Sequence, residues 1–158
     1  MIVDLHRRGY RGYDPRFEGA KLEALCKNVE GMIDEARVGH DPAHRVWFAE
    51  KKTPKGDPDT VGCVALIDRG DGRGQLRWLI VLPDARGLGV GVSLMDAVLD
   101  RAQALGLQQV FLLTAPGLPE SMGLYHRYGF VITREAGVLQ WHGDGHDIEM
   151  TLALDTRR

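Results

Sequence analysis

The residues best suited to chemistry lie in Pro83-Asp84-Ala85-Arg86-Gly87-Leu88-Gly89-Val90-Gly91, where glycines alternate between a buried apolar run and a long amphipathic one. Glycine lets a backbone turn tightly and leaves amide hydrogens uncovered. The start of a helix adds the positive end of its dipole, so the pattern describes an anion site suited to a pyrophosphate. A tight strand-to-helix turn without a ligand is the plainer reading, but three alternating glycines exceed what such a turn requires. Two familiar phosphate loops do not apply. A dinucleotide fingerprint needs a third Gly or Ala where Val92 stands, and an acidic residue where Thr114 ends the next apolar run. A nucleotide P-loop needs Gly-Lys-Ser/Thr after four intervening residues, and the chain contains no such sequence.

Other constellations point less far. His142-Gly143-Asp144-Gly145-His146-Asp147 mixes imidazoles with carboxylates, but its flexible spacing and lack of a further clustered ligand favour a glycine-rich hairpin. No metal is expected. His6-Arg7-Arg8-Gly9-Tyr10-Arg11-Gly12-Tyr13 interleaves cations with aromatics, a mixture able to bind phosphates and stacked bases. Against that, 20 basic and 22 acidic residues leave a formal charge of −2, which removes the electrostatic reason to expect a general nucleic-acid binder. Cys63 sits mid-strand among apolar neighbours and reads as packing. Cys26 and Cys63 lack metal-ligand spacing and are expected as reduced thiols in a cytoplasmic protein.

The elements that must position these residues follow from periodicity. Residues 46–49 and 61–67 favour strands and flank a Pro- and Gly-containing loop at 51–60, which suggests an antiparallel hairpin. A glycine-rich turn over 68–74 leads into a strand at 75–82, alternating at first and then wholly apolar, as a strand entering the middle of a sheet should be. From Gly89 to Leu105 the period changes: Leu94, Val98, Ala102 and Leu105 share one helical face, and Gly106 fits the C-cap. Residues 110–113 form another apolar strand, so a right-handed strand-helix-strand crossover with parallel strands is expected, its cleft at the carboxyl ends. Pro119 can open a short helix that Tyr128-Gly129 closes, and residues 130–134 and 148–154 read as a final strand pair. At the start, residues 2–5 are expected as a strand and 17–37 as one or two helices broken near Gly31.

With 158 residues and 44% apolar composition, a single domain spanning 1–158 is expected. It can bury roughly 68 to 70% of its unfolded surface without disulfides or a metal. A charge at Asp4 interrupts the N-terminal apolar run, and later runs stop far below membrane-spanning length, so neither secretion nor insertion is expected.

Arg86, Gly89 and Gly91 match, in order and spacing, the acetyl-CoA signature of one large family: Arg or Gln, two residues, Gly, one residue, Gly or Ala. About 35 residues on, Tyr125-His126-Arg127-Tyr128-Gly129-Phe130 matches the Tyr, three residues, Gly-Phe pattern of that family's last helix. The chain thus resembles the GNAT superfamily of N-acetyltransferases, throughout in element order and most specifically over residues 75–130. Residues 75–78, Gln-Leu-Arg-Trp, and residues 118–125 also look like the acetyltransferase half of bacterial proteins fused to a MarR-type winged helix. With no room for a winged helix in this chain, it resembles a free-standing version.

The resemblance implies a mixed α/β (α+β) GNAT-like acyl-CoA N-acyltransferase fold, with a mostly antiparallel central sheet and a parallel βαβ cofactor crossover. Pantetheine would lie along Leu79, Ile80, Val81 and Leu82, where the strand splays from its neighbour. The amides of Arg86, Gly87, Leu88, Gly89, Val90 and Gly91 would hold the pyrophosphate. Acetyl-CoA is the implied cosubstrate and a small-molecule or protein amine the acceptor, with homodimerisation left open. In direct attack, an amine of pKa ~10.4 must lose a proton and a thiolate of pKa ~8.5 must be stabilised on leaving. Tyr125 is the implied catalytic proton donor, a buried aromatic being the plainer reading. No base is identified: Gln75 and Arg77 are the polar residues on the strand where some relatives carry a glutamate, while Glu50, Asp68 and Glu135 lie near strand ends. Leu118 stands where many relatives carry an asparagine that contacts the cofactor. The segment from His6 to Tyr13 is read as a loop bordering the acceptor cleft. A non-catalytic CoA-binding sensor or regulatory module is the alternative.

Overall fold

The computed structural model describes residues 1–11, 18–36, 40–114, 119–135 and 148–155. Its six strands are Arg45–Lys52 (β1), Pro58–Asp68 (β2), Arg73–Val81 (β3), Gln109–Thr114 (β4), Val131–Glu135 (β5) and Ile148–Ala153 (β6), joined in one sheet of order β1-β2-β3-β4-β6-β5. Helices Ile2–Tyr10 (α1), Gly19–Glu35 (α2), Val90–Ala104 (α3) and Pro119–Arg127 (α4) complete the described elements. All pairs are antiparallel except β3 with β4, the expected crossover through α3. This mixed α/β order, a mostly antiparallel sheet with one parallel crossover, is the one that the resemblance implies.

Every residue from 61 to 67 is buried, because β2 is covered on both faces. Cys63, Ala65 and Ile67, with Trp78, Ile80 and Leu82 of β3 and its extension, pack beneath α1 and α2. Val64, Leu66 and Leu76 pack on the other face against Leu94, Met95 and Val98 of α3 and Val110 and Leu112 of β4. α3 stops where expected: Gly106 adopts φ 70°, and Leu107 N–H returns to the Ala102 carbonyl at 3.0 Å, a turn that glycine makes without steric cost. Both cysteines are buried and unpaired, and burial pushes the Cys63 thiol up to about 12, as suits a packing residue.

The N-terminus departs from expectation. Residues 2–5 are the first turn of a helix, not a strand, because the burial that decides is at Ile2, Leu5, His6 and Gly9, the i, i+3, i+4, i+7 spacing of one helical face. The expected loop from His6 to Tyr13 is therefore helical as far as Tyr10. α2 also runs without a break through Gly31, which is exposed and adds only a modest propensity cost. The hairpin expected at 142–147 lies outside the described residues.

His6 joins α1 to the core. It is 1% exposed, and its Nδ1–H donates to the Ile2 carbonyl at 2.8 Å. Burial lowers its pKa from 6.5 to about 4. Because the unfolded chain binds this proton more readily, the stabilising effect is complete above pH 6.5 and is lost as pH falls from 6.5 towards 4, by about 3 kcal/mol at most. Urea midpoints of the wild type should fall over that window, and those of His6→Leu should fall less steeply. Equal slopes would remove His6 from the acid response.

Candidate active site

The site begins where β3 leaves β4. These strands pair only across Arg73, Gly74 and Gln75 with Gln109, Val110 and Phe111. On its other edge, β3 stays paired to β2 as far as Val81. Backbone groups on the β4 side of residues 76–81 thus have no strand opposite them. A bulge accompanies the separation: Cys63 pairs with Ile80 and Ala65 with Arg77, so Val64 alone faces both Trp78 and Leu79. Trp78 takes φ 52°, a left-handed conformation costing a bulky residue roughly 1–2 kcal/mol. The indole is 4% exposed and packs in the core beneath α1 and α2, although its buried Nε1–H finds no hydrogen-bond partner. Gly62 allows the two strands to close beyond the bulge, since a Cβ there would sit 2.8 Å from the Ile80 carbonyl oxygen.

The strand ends in a loop built for exposed amides. Residues 83–85 make one 3-10 turn, and the Arg86 Nε–H donates to the Val81 carbonyl at 3.1 Å, bracing the loop on the strand it follows. Gly87 and Gly89 adopt φ 73° and 80°, conformations that side chains resist. Gly89 is the N-cap of α3 and supplies no side-chain cap, so the first-turn amides face outward with the dipole's positive end behind them. Gly91 has a different task. A Cβ there would lie 3.2 Å from Leu124 Cδ2, so its absence lets α4 approach α3.

Between these elements is a cleft of about 670 Å³. Leu79, Ile80 and Val81 form one wall, Arg86, Gly87, Gly89, Val90 and Gly91 the floor, and Ser121, Leu124 and Arg127 of α4 the facing wall. Leu82 turns into the core and Leu88 is exposed, so neither of these expected residues lines it. Gly9 and Tyr10 also line it, on the segment expected to border the acceptor cleft, though as part of helix α1 and not of a loop. Glu50, Asp68 and Glu135 are not among the residues that line it, and the described lining contains no carboxylate. Gln75 is occupied, its Oε1 accepting from Arg69 Nε–H at 2.7 Å. Leu118 lies outside the described residues.

Tyr125 is 6% exposed behind the α4 wall, its ring 5.9 Å from that of Phe130. Burial raises its pKa well above the usual phenol range, and the Tyr10 phenol adds to the shift. It therefore keeps its proton at neutral pH. Three residues on, Tyr128 holds the same helix to α3, its hydroxyl 2.6 Å from Asp96 Oδ1 and 3.0 Å from the Val92 carbonyl.

The sequence profile of the acetyltransferase (GNAT) family matches residues 4–130. The chain belongs to this family. It is 34% identical over 113 residues to an uncharacterised N-acetyltransferase of Schizosaccharomyces pombe, a match covering 71% of this chain and 68% of that protein. It is 37% identical over 71 residues to an IAA acetyltransferase of Azospirillum brasilense, covering 44% of this chain but only 46% of the relative. Solved structures share the fold. A chimeric spermidine N-acetyltransferase from Vibrio cholerae superposes with TM-score 0.66 at 20% identity, over 96% of this chain and 87% of that one. A GNAT family acetyltransferase from Elizabethkingia anophelis with acetyl-CoA bound gives 0.63 at 17% identity, over 79% and 83%.

Gly62 offers a test of the bulge as the element that shapes the cleft of this GNAT chain. Gly62→Ala sets a methyl against backbone that cannot rotate away, and should cost about 1–3 kcal/mol of stability, read as a lower urea midpoint. An unchanged midpoint would mean that β2 and β3 do not close as described.

Proposed function

We propose that this protein transfers the acetyl group of acetyl-CoA to an amine by direct attack within a ternary complex. The observation that carries this reading is the continuity of one cleft between an unpaired strand edge and an uncapped helix start. Pantetheine is an extended chain with amide groups, and the β4-facing edge of Leu79 to Val81 offers backbone donors and acceptors in extended geometry. The pyrophosphate suits the amides from Arg86 to Gly91. Arg86 contributes through its backbone while its side chain braces the loop. Acetyl-CoA bound to the Elizabethkingia structure supports the choice of donor, and the spermidine enzymes act on an amine.

In the proposed chemistry, the neutral amine attacks the thioester carbonyl, a tetrahedral intermediate collapses, and CoA leaves as a thiolate that takes up a proton. Tyr125 is the proposed donor of that proton, on a helix that Tyr128 and Asp96 hold against α3. With no carboxylate in the described lining, the amine's proton passes to water. A second reading rests on that same lining and on the likeness of residues 75–78 to MarR-fused domains: a module that binds CoA and reports it without turnover. Calorimetry with acetyl-CoA, then thiol release in the presence of pooled amines, separates the two. Binding with no thiol above the hydrolysis background favours the sensor.

Gly89→Asp tests the cofactor floor. It places a side chain and a negative charge in a left-handed position at the helix start, and should lower acetyl-CoA affinity at least 10-fold, by about 1.4 kcal/mol or more. Unchanged affinity in a folded variant places the anion site elsewhere. Tyr125→Phe removes only the hydroxyl, so acetyl-CoA affinity should hold while single-turnover transfer slows by about 10- to 1000-fold. An acyl donor with a more acidic thiol needs less protonation on leaving and should partly rescue the variant. Equal loss with both donors would point to positioning, and no loss would return Tyr125 to a packing role.

A further inference from the structure

Arg73, Gln75 and Arg77 alternate along β3 and so share one face of the sheet. Arg77 Nη2 lies 2.6 Å from Met32 Sδ of α2, which identifies this as the face opposite α3 and the cofactor floor. Arg69, from the turn preceding β3, joins them through its hydrogen bond to Gln75. Arg69 and Arg77 are thus near enough to repel each other beside the fork between β3 and β4, with Arg73 on the same face four residues back along the strand. Among the described residues, no carboxylate lies within ion-pair distance of any of them.

That grouping is costly as it stands. Arg77 is half-buried, and burial together with repulsion from Arg69 lowers its pKa to about 10, only partly offset by Glu35 at the end of α2. Arg73 stacks its guanidinium 4.4 Å from the Phe111 ring, and its buried Nε has no hydrogen-bond partner. Like charges in reduced dielectric without an anion destabilise the fold unless something binds there. The position suggests what. With α3 and α4 enclosing the donor from one face, an acceptor must reach a thioester at the fork from the other. Arg77 is two residues from Leu79 in the chain, on the near side of the bulge at Trp78.

We propose that the acceptor amine also carries a carboxylate, and that Arg77, backed by Arg69 and Arg73, binds it on the acceptor side. This rests on the acetyl-transfer reading and narrows it to amines of amino-acid type. A carboxylate meets the planar guanidinium fork through two parallel hydrogen bonds, which fixes the amine's orientation as well as its presence. Polyamines carry the wrong charge for this wall.

The test uses the full chain saturated with acetyl-CoA, the common L-amino acids, the same compounds as their amides, and spermidine, with thiol release as readout. Amino acids should exceed their amides about 10- to 100-fold in kcat/KM, even though an amide's amine is the less basic and is more readily present as the free nucleophile. Arg77→Met keeps the apolar stem and removes the charge, so the acid-to-amide ratio should fall towards one, chiefly through KM for the acids. Amides or spermidine turned over as well as the acids would overturn the proposal, as would a loss in Arg77→Met that is equal for acid and amide. Should Arg77→Met not fold, the wild-type ratio decides alongside Arg77→Lys, which keeps the charge, loses the fork and should show a smaller ratio. If no amine is acetylated, the amino acids are titrated calorimetrically into the CoA complex. Binding that amidation abolishes supports the anion wall and sinks only the transfer reading, whereas no binding sinks the wall as well.

Discussion

The separation of β3 from β4 is the constraint on which the rest of the site depends. A parallel pair that continued to the strand ends would satisfy its backbone within the sheet and leave nothing for an extended ligand to bond. Here pairing stops after Gln75, and the bulge at Trp78 turns the outgoing strand while β2 stays attached. The strained conformation at Trp78 persists because the indole is buried beneath α1 and α2 and because Gly62 lets β2 follow the bend. Strain at a functional strand is thus balanced by packing a layer away.

Everything downstream inherits that geometry. The diverging strand delivers residues 83–89 to the start of α3, where two left-handed glycines aim amides into the same cleft that the strand edge lines. Gly91 then sets the approach of α4, and the Tyr128–Asp96 bond sets its rotation. Burial, with the hydrogen bond to the Asp96 carboxylate, pushes the Tyr128 phenol up to about 12, so its hydroxyl keeps the proton that it donates across this contact at neutral pH. α1 closes the cleft from the far side through Gly9 and Tyr10, with Gly9 fitting tightly over Ile80.

Legibility in the sequence followed the physics of each element. Residues 75–113 were readable because period, turn chemistry and caps agreed there: an apolar strand, alternating glycines, a 3.6-residue stripe, then Gly106. The N-terminal helix was not, since four apolar or charged residues are too few to separate a period of two from one of 3.6, and the deciding positions include His6 and Gly9, neither of which reads as a core residue. The insertion of β6 between β4 and β5 depends on long-range pairing that no local pattern encodes. At the site, glycines showed themselves because they serve the backbone. The walls supplied by Ser121 and Arg127 did not, because their presence in the cleft depends on how a helix rotates.

Gln75 brings the two faces of the site together. A carboxylate at this place, the end of the β3–β4 pairing, would be held by Arg69 as an ion pair and would neutralise part of the cationic face. An uncharged amide accepts the same hydrogen bond and leaves the charge standing. The amide thus has two consequences at once. It gives β3 no carboxylate at this place to take the amine's proton in the proposed transfer. It also keeps the arginine face unneutralised, so that an acceptor's own carboxylate can complete it. Bound there, that carboxylate offsets guanidinium repulsion and orients the amine towards the fork, and positioning of this kind can lower a barrier without any group on the enzyme acting as a base.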